Sequence, residues 1–364
     1  MNKTSSAEDH PLRIFGWSGV VSIIALCVGF LYGSWTGALL VLLLGAFEVS
    51  VSFDNAVVNA RILEKMSEFW QKIFLTVGIA IAVFGMRILF PILIVGVTTG
   101  LSPVEAWELA LRGGSIETPG TYAYILHAAH PQIAAFGGMF LLMLFLDWVF
   151  DPERELHWLQ PIEKFLAKVG KLDNAAVPVS LLALIILAME AKAQAATVMI
   201  AGVAGLLTYL LVNGLGTFFE KRLEEDGETQ QKSGAIKLVG KAAFFSFLYL
   251  EVLDASFSFD GVIGALAITT DPIIIALGLG LIGAMFVRSI TVYLVRKGTL
   301  NEYVYLDHGA HWAIGALAVL LVVSIAIPVP EVVTGLVGIV LILAAFISSI
   351  VRNRSEAKIT ETTE

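Results

Sequence analysis

The chain has 364 residues, of which 57% are hydrophobic and 15% charged, and its mean hydropathy is +0.83. Apolar runs near 20 residues recur along it, a pattern that excludes a soluble globular protein and marks an all-α, polytopic membrane protein. The net charge of -8 is no guide to partners, because the placement of Lys and Arg matters more than their total. The one cysteine, Cys27, excludes an intrachain disulfide, a thiolate metal cluster and dithiol redox chemistry.

In chain order, residues 1–13 form a polar tail that includes acids, so no cleavable signal peptide is expected and the first span is an uncleaved anchor. The hydropathy pattern then predicts about ten transmembrane helices, at 14–33, 36–60, 72–98, 126–149, 175–190, 195–216, 238–268, 272–295, 310–327 and 330–351. The fifth is short and runs into "MEAKAQ". The segment 100–125 is long, Gly-rich and only partly apolar, suited to an outer loop or a re-entrant piece. These spans divide the chain into a first transmembrane repeat (14–149), a linker with the short fifth span (150–194), a second repeat (195–327), a last span (328–351) and a tail (352–364). With the N-terminus in the cytoplasm and sides alternating, only Arg112 and Lys192 of the 23 basic residues fall outside, while Arg87 and Arg288 lie within spans. That bias predicts both termini on the cytoplasmic side of a bacterial inner membrane. The polar segments 219–236 and 352–364 read as solvated linkers.

The second span contains "FEVSVSFDNAVVNA" (47–60) and the seventh "LDASFSFDGVIGA" (253–265). At an offset of 206 residues, Glu48 aligns with Asp254, Ser50 with Ser256, Ser52 with Ser258 and Asp54 with Asp260. "YAYILHAAH", from Tyr122, aligns likewise with "YVYLDHGAH", from Tyr303, and pairs His127 with His308 and His130 with His311. Between these blocks Arg87 corresponds to Arg288. The common order indicates an internal duplication. Five spans separate the acidic motifs, an odd number, which makes the repeat inverted in the membrane, as in transporters that bind substrate at the midplane.

Ionisable groups inside a membrane are costly and mark function. Glu48, Asp54, Glu251, Asp254 and Asp260 would repel one another strongly unless protons, arginines or a multivalent cation kept them together. Asn55, Ser52 and Ser258 add neutral oxygens, and such an all-oxygen set suits a hard divalent ion such as Mg²⁺, Ca²⁺ or Mn²⁺. At about 100° per residue, Glu251, Asp254 and Ser258 share a helix face, whereas Asp260 points away and Glu48 and Asp54 lie about 120° apart. Local unwinding, near Gly261 in the second half and Asn55 in the first, would reconcile them. Structural ion pairs between these acids and Arg87 or Arg288 are the plainer reading. The arginines could equally hold an acid when the cation is absent. The histidines His127, His130, His308 and His311, spaced i, i+3, suit either a transition metal or proton relay, or simple helix-start packing near opposite membrane surfaces. No nucleophile elbow, P-loop or HExxH occurs, so neither an enzyme nor an ATP-driven pump is expected, and no resident cofactor.

Residues 251–295 resemble the second signature of the TerC family of integral membrane proteins, on Asp254, Asp260, Asp271, Pro272 and Arg288. Glu48, Asp54 and Asn55 are similar to its first signature. Gly261 stands where that family usually has Ser. The chain is closest to the branch known only as a domain of unknown function, DUF475. The resemblance covers about 36–330 and places the chain with LysE-type cation exporters and tellurium-resistance proteins. It implies efflux of Mn²⁺ or a similar divalent ion, with Ca²⁺ or Mg²⁺ as alternatives. Protons are a candidate coupling ion, the bilayer the surrounding partner, and no nucleic acid is involved. The alternative is a non-transporting membrane anchor for a metal- or tellurite-stress complex, in which 151–174 and 219–237 would matter and the buried acids would not.

Overall fold

A computed structural model describes residues 11–363 except 79, 171, 173–174, 226–237, 270 and 298–302. It leaves aside some further side chains, among them those of Ser50, Asp54 and residues 256–260. Among the described residues the chain is helix and turn, with one isolated bridge between Met66 and Leu238. Seven helices are long and apolar enough to cross a membrane: Ile14–Val49, Glu68–Gly96, His130–Val149, Lys192–Leu215, Pro272–Val295, Leu306–Ser324 and Leu336–Ser355. The protein therefore spans a membrane, as its composition requires.

Helix α1 (Pro11–Val51) is not straight. Gly33 (φ -128°, ψ 20°) and Ser34 (φ 55°, ψ -150°) leave helical geometry, and the chain turns back on itself. Gly29 then lies against Gly37, where a Cβ on either glycine would strike the other's carbonyl group. The second arm, residues 35–51, packs on a π-helical stretch, Ala276–Gly283, more than two hundred residues later. Glycines let the two backbones close up: a Cβ on Gly278 would sit 2.6 Å from Leu44 Cβ, and one on Gly45 would sit 2.7 Å from Ile282 Cγ2. Small residues take this role where lipid tails are as apolar as the side chains they replace.

A short α2 (Phe53–Leu63) and α3 (Glu68–Ile73) lead into π-helical stretches at Phe74–Gly78 and Ile81–Leu89, then α4 (Phe90–Thr99). The segment 100–125 combines a short helix with turns. Gly100 ends α4 in the left-handed conformation, and α5 (Pro103–Leu111) starts with a capping box in which Ser102 and Glu105 exchange hydrogen bonds of 2.8 and 3.3 Å. Those bonds hold the Glu105 carboxyl below the usual carboxylate range. Ala106 and Ala110 of α5 are buried beside Ile92, Val95 and Leu126.

Helix α6 (Tyr122–Ala128) and α7 (His130–Val149) follow. Helix α7 runs through the largest core, against α10 (Ala195–Glu225) and α14 (Leu306–Ser324). The fifth span is α9 (Ala176–Glu190), a mostly apolar helix whose 15 residues reach about 22 Å, less than a hydrocarbon core of about 30 Å. The second acidic motif lies on α11 (Gly240–Ile268), followed by α12 (Pro272–Ile275), the π-helical stretch already named and α13 (Ala284–Lys297). The last helix is α15 (Glu331–Thr363).

At the end of the bundle where α2 stops, the Lys65 carbonyl accepts from Leu238 N–H (2.8 Å) and Leu238 returns its carbonyl to Ser67 N–H (3.0 Å). This bridge ties the helix after the first motif to the start of the helix that carries the second. Beside it, α8 (Gln160–Val169) is held by a fully buried acid, Glu163. Its carboxylate accepts from the N–H groups of Trp158 (3.1 Å) and Leu159 (3.2 Å) and from the Trp312 indole (2.9 Å). Arg154 lies 3.6 Å from it and stacks 3.8 Å above the Trp148 ring.

Two stability predictions follow from this packing. Gly278→Ala should lower the thermal unfolding midpoint in detergent, by overpacking worth about 1–3 kcal/mol, whereas Gly16→Ala, with no atom near its Cβ, should not. Glu163→Ala, which leaves Arg154 buried without its carboxylate, should cost about 3 kcal/mol by the same measurement.

Candidate functional site

Glu48 lies on the last turn of the second arm of α1 and is 1% exposed. Its Oε1 accepts from Ser52 Oγ at 2.7 Å and from Arg87 Nη2 in a close ion pair. Ser52 (φ -95°, ψ 14°) is the point where α1 ends and α2 begins, while Ser52 N–H and Ala56 N–H still bond one turn back. The jog falls between Glu48 and Asp54, four residues after Glu48.

Arg87 sits in the π-helical stretch Ile81–Leu89, and its Nη1 donates to the Ala82 carbonyl at 2.9 Å. The other carboxylate oxygen of Glu48, Oε2, has no hydrogen-bond partner among the described residues. It faces Gly261 of α11, where a Cβ would sit 2.8 Å away. Gly283 closes on the Glu48 side chain so tightly that a Cβ there would overlap Glu48 Cγ. An acid from the first half is thus enclosed by two glycines from the second.

Asp254 of α11, 8% exposed, accepts a close hydrogen bond from Asn55 Nδ2 of α2, itself 1% exposed. Asp254 and Arg87 line a small cavity of about 30 Å³ together with Asn59, Gly78, Arg288 and Thr291. That volume holds one or two waters, or a single ion stripped of most of its hydration. Glu251, one turn before Asp254, rests on Gly78 of the π-helical stretch. Its Oε1 is buried without a hydrogen-bond partner among the described residues, and a Cβ on Gly78 would sit 2.6 Å from it.

Four of the six residues singled out in the sequence, Glu48, Asn55, Glu251 and Asp254, therefore converge on one buried region, with Ser52, Arg87 and Arg288 around them. The side chains of Asp54, Asp260 and Ser258 lie outside the described residues. Among the described residues no three acids, histidines or cysteines stand close enough to hold a metal by themselves. Arg87 holds Glu48 in the way the plainer sequence reading expects. Among the described residues three carboxyl groups share the region with two guanidinium groups, so full ionisation of these leaves one negative charge in excess at low dielectric.

One expectation requires correction. Helix α11 does not unwind at Gly261; it runs without interruption from Gly240 to Ile268. The glycine is there for close approach to Glu48, and the break in the first half falls at Ser52 rather than Asn55. The histidines do not reach the acids. His127 and His130 stack loosely at one end of α7, with ring centres 6.4 Å apart. His308 and His311 lie at its other end: His311 stacks on Trp148 at 4.4 Å, and His308 Nε2–H donates to the Leu156 carbonyl at 2.9 Å. Each pair lies at or beside the start of a helix, α7 for the first and α14 for the second.

The sequence reading missed Asn59, Gly78, Gly283 and Thr291, which complete the cavity and its walls. Asn59 was accessible from spacing, being one turn beyond Asn55 on the same face. The glycines carry no local signal that separates them from others in apolar spans.

A model of the family described as "Protein of unknown function (DUF475)" matches residues 53–356. No curated protein and no solved structure matches the chain. The match covers α2, the π-helical stretches, Arg87, α11 and Arg288, most of the elements around the buried polar region, and begins just after Glu48 and Ser52; the chain belongs to the DUF475 family.

Proposed function

We propose that this protein is a secondary transporter that exports a divalent cation, Mn²⁺ before Ca²⁺ or Mg²⁺, through carboxylates near the midplane of a bacterial inner membrane. One observation carries the reading: Glu48 and Asp254, from corresponding motifs, are both buried about Arg87, which pairs with Glu48 and with Asp254 lines a cavity of single-ion size. Membrane-buried acids gathered in one place, one of them enclosed by glycines of the other half, serve no packing need that apolar residues would not meet better.

The proposed architecture is ten crossings in two inverted repeats, with both termini cytoplasmic. The seven long helices become ten when α1 counts as two crossings at its Gly33–Ser34 turn and α9 and α11 are added. The repeat is supported by π-helical stretches ahead of both intramembrane arginines, Ile81–Leu89 around Arg87 and Ala276–Gly283 before Arg288. TerC-like and LysE-type relationships belong to the same proposal.

In this mechanism Arg87 is the resident counter-charge. It neutralises Glu48 when no substrate is bound, and an arriving cation displaces it. Glu48 and Asp254 supply charge, and Asn55, Asn59 and Ser52 supply neutral oxygens of the kind hard cations accept. Return of Arg87 to Glu48 removes the charge that would hold the cation and so favours release. Rocking of the two halves about this point would expose it alternately to each side.

Cells expressing Glu48→Gln or Asp254→Asn should accumulate Mn²⁺ to the level of cells without the transporter while the variants still insert; efflux equal to wild type would overturn the assignment. Arg87→Gln should unfold at lower temperature than wild type in metal-free detergent. At one Mn²⁺ concentration it should be stabilised more than wild type, by about 2.7 kcal/mol in total where Mn²⁺ is about a hundredfold above its own Kd, because Glu48 is then unopposed and Kd is lower. A thermal-shift titration reads both.

A further inference from the structure

The surface of α8 is not that of a helix in water. The helix turns Glu163 and Leu166 toward the protein, yet Ile162 and Phe165 are 48% and 65% exposed, and Leu172 just beyond it is 68% exposed. At about 100° per residue, Ile162 and Phe165 form one exposed stripe, with Val169 between them packed against the core, and Lys168 and Lys164 follow about 60° and 100° round from Phe165. Both lysines are exposed. An apolar stripe flanked by lysines on a short helix is the pattern of a segment that lies flat in a membrane interface.

The position of α8 agrees with that pattern. It follows the end of α7, and Glu163 on its inner face is bonded to Trp312, less than two turns into α14. Two membrane-crossing helices thus fix α8 at the level where one ends and the other begins. That is the level of lipid headgroups.

We propose that α8 is an in-plane membrane-surface helix, with Ile162 and Phe165 inserted below the headgroups and Lys164 and Lys168 binding anionic phospholipid. The inner face is held by neutralised, hydrogen-bonded Glu163, so the helix keeps its orientation while its outer face exchanges lipid. Nothing in this depends on what the buried acids carry.

The test is hydrogen exchange, read by mass spectrometry, on the full-length protein in nanodiscs of phosphatidylcholine alone or mixed with phosphatidylglycerol. Amides of residues 160–169 should exchange several-fold more slowly in the mixed discs. The charge-reversed K164E/K168E and the neutral K164Q/K168Q should both lose that difference, to which one basic side chain at an anionic surface contributes up to about fivefold. Unchanged exchange in α7 and α14 peptides shows that the variants are folded. Equal exchange of wild-type α8 in both lipids overturns the proposal, as does slowing in phosphatidylglycerol that persists in both double variants.

Discussion

The contact between Glu48 and Arg87 governs how this molecule is put together. A single charge at the centre of a bilayer costs on the order of 3 kcal/mol by insertion measurements. An acid and an arginine buried separately among apolar helices would each carry a cost of several kcal/mol, and pairing lowers it only if the geometry is close. The pair here is close and buried on all sides. Its geometry depends on residues far apart in sequence: the second arm of α1 brings Glu48, a π-helical stretch brings Arg87, and Gly261 and Gly283 shape the space around the carboxylate. Each glycine is small because Glu48 is there, and Glu48 is held in place because the glycines are small.

The π-helical stretches belong to the same account. A π-helical turn widens the helix and often marks a functional site. In Ile81–Leu89 the Ala82 carbonyl accepts from the Arg87 side chain, so part of the backbone's bonding capacity goes to positioning the guanidinium. Gly78, in the adjoining stretch, leaves room for Glu251. The helix is irregular where the polar groups gather and regular where α7 packs through the apolar core.

Much of this was legible in the sequence, for physical reasons that differ from residue to residue. Intramembrane acids stand out because almost nothing else at that depth is charged, and their repetition in two motifs separated Glu48 and Asp254 from accident. The turn in α1 was legible as the gap between the first two spans. Distance relations were not legible. That Gly261 faces Glu48 rather than breaking α11 depends on the packing of helices two hundred residues apart. Glu163 was hidden differently. In "WLQPIEKFLAKV" it looks like one charge among several on a polar linker, and only the fold places Trp312 and Arg154 around it. The histidine pairs stood out by their i, i+3 spacing, but spacing does not show that they lie at opposite ends of α7, away from the buried acids.

The backbone bridge between Met66 and Leu238 sets the geometry of any movement. It fastens the helix that follows the first acidic motif to the helix that carries the second, and it does so at one end only. Two rods fastened at one end behave as a pair of shears: they part by rotation about the rivet, and the opening grows with distance from it. Asn55 lies ten residues from Lys65, about 15 Å along a helix, so a rotation of about 10° would separate Asn55 from Asp254 by roughly 2.6 Å. That is enough to break their hydrogen bond, while the atoms at the rivet scarcely move.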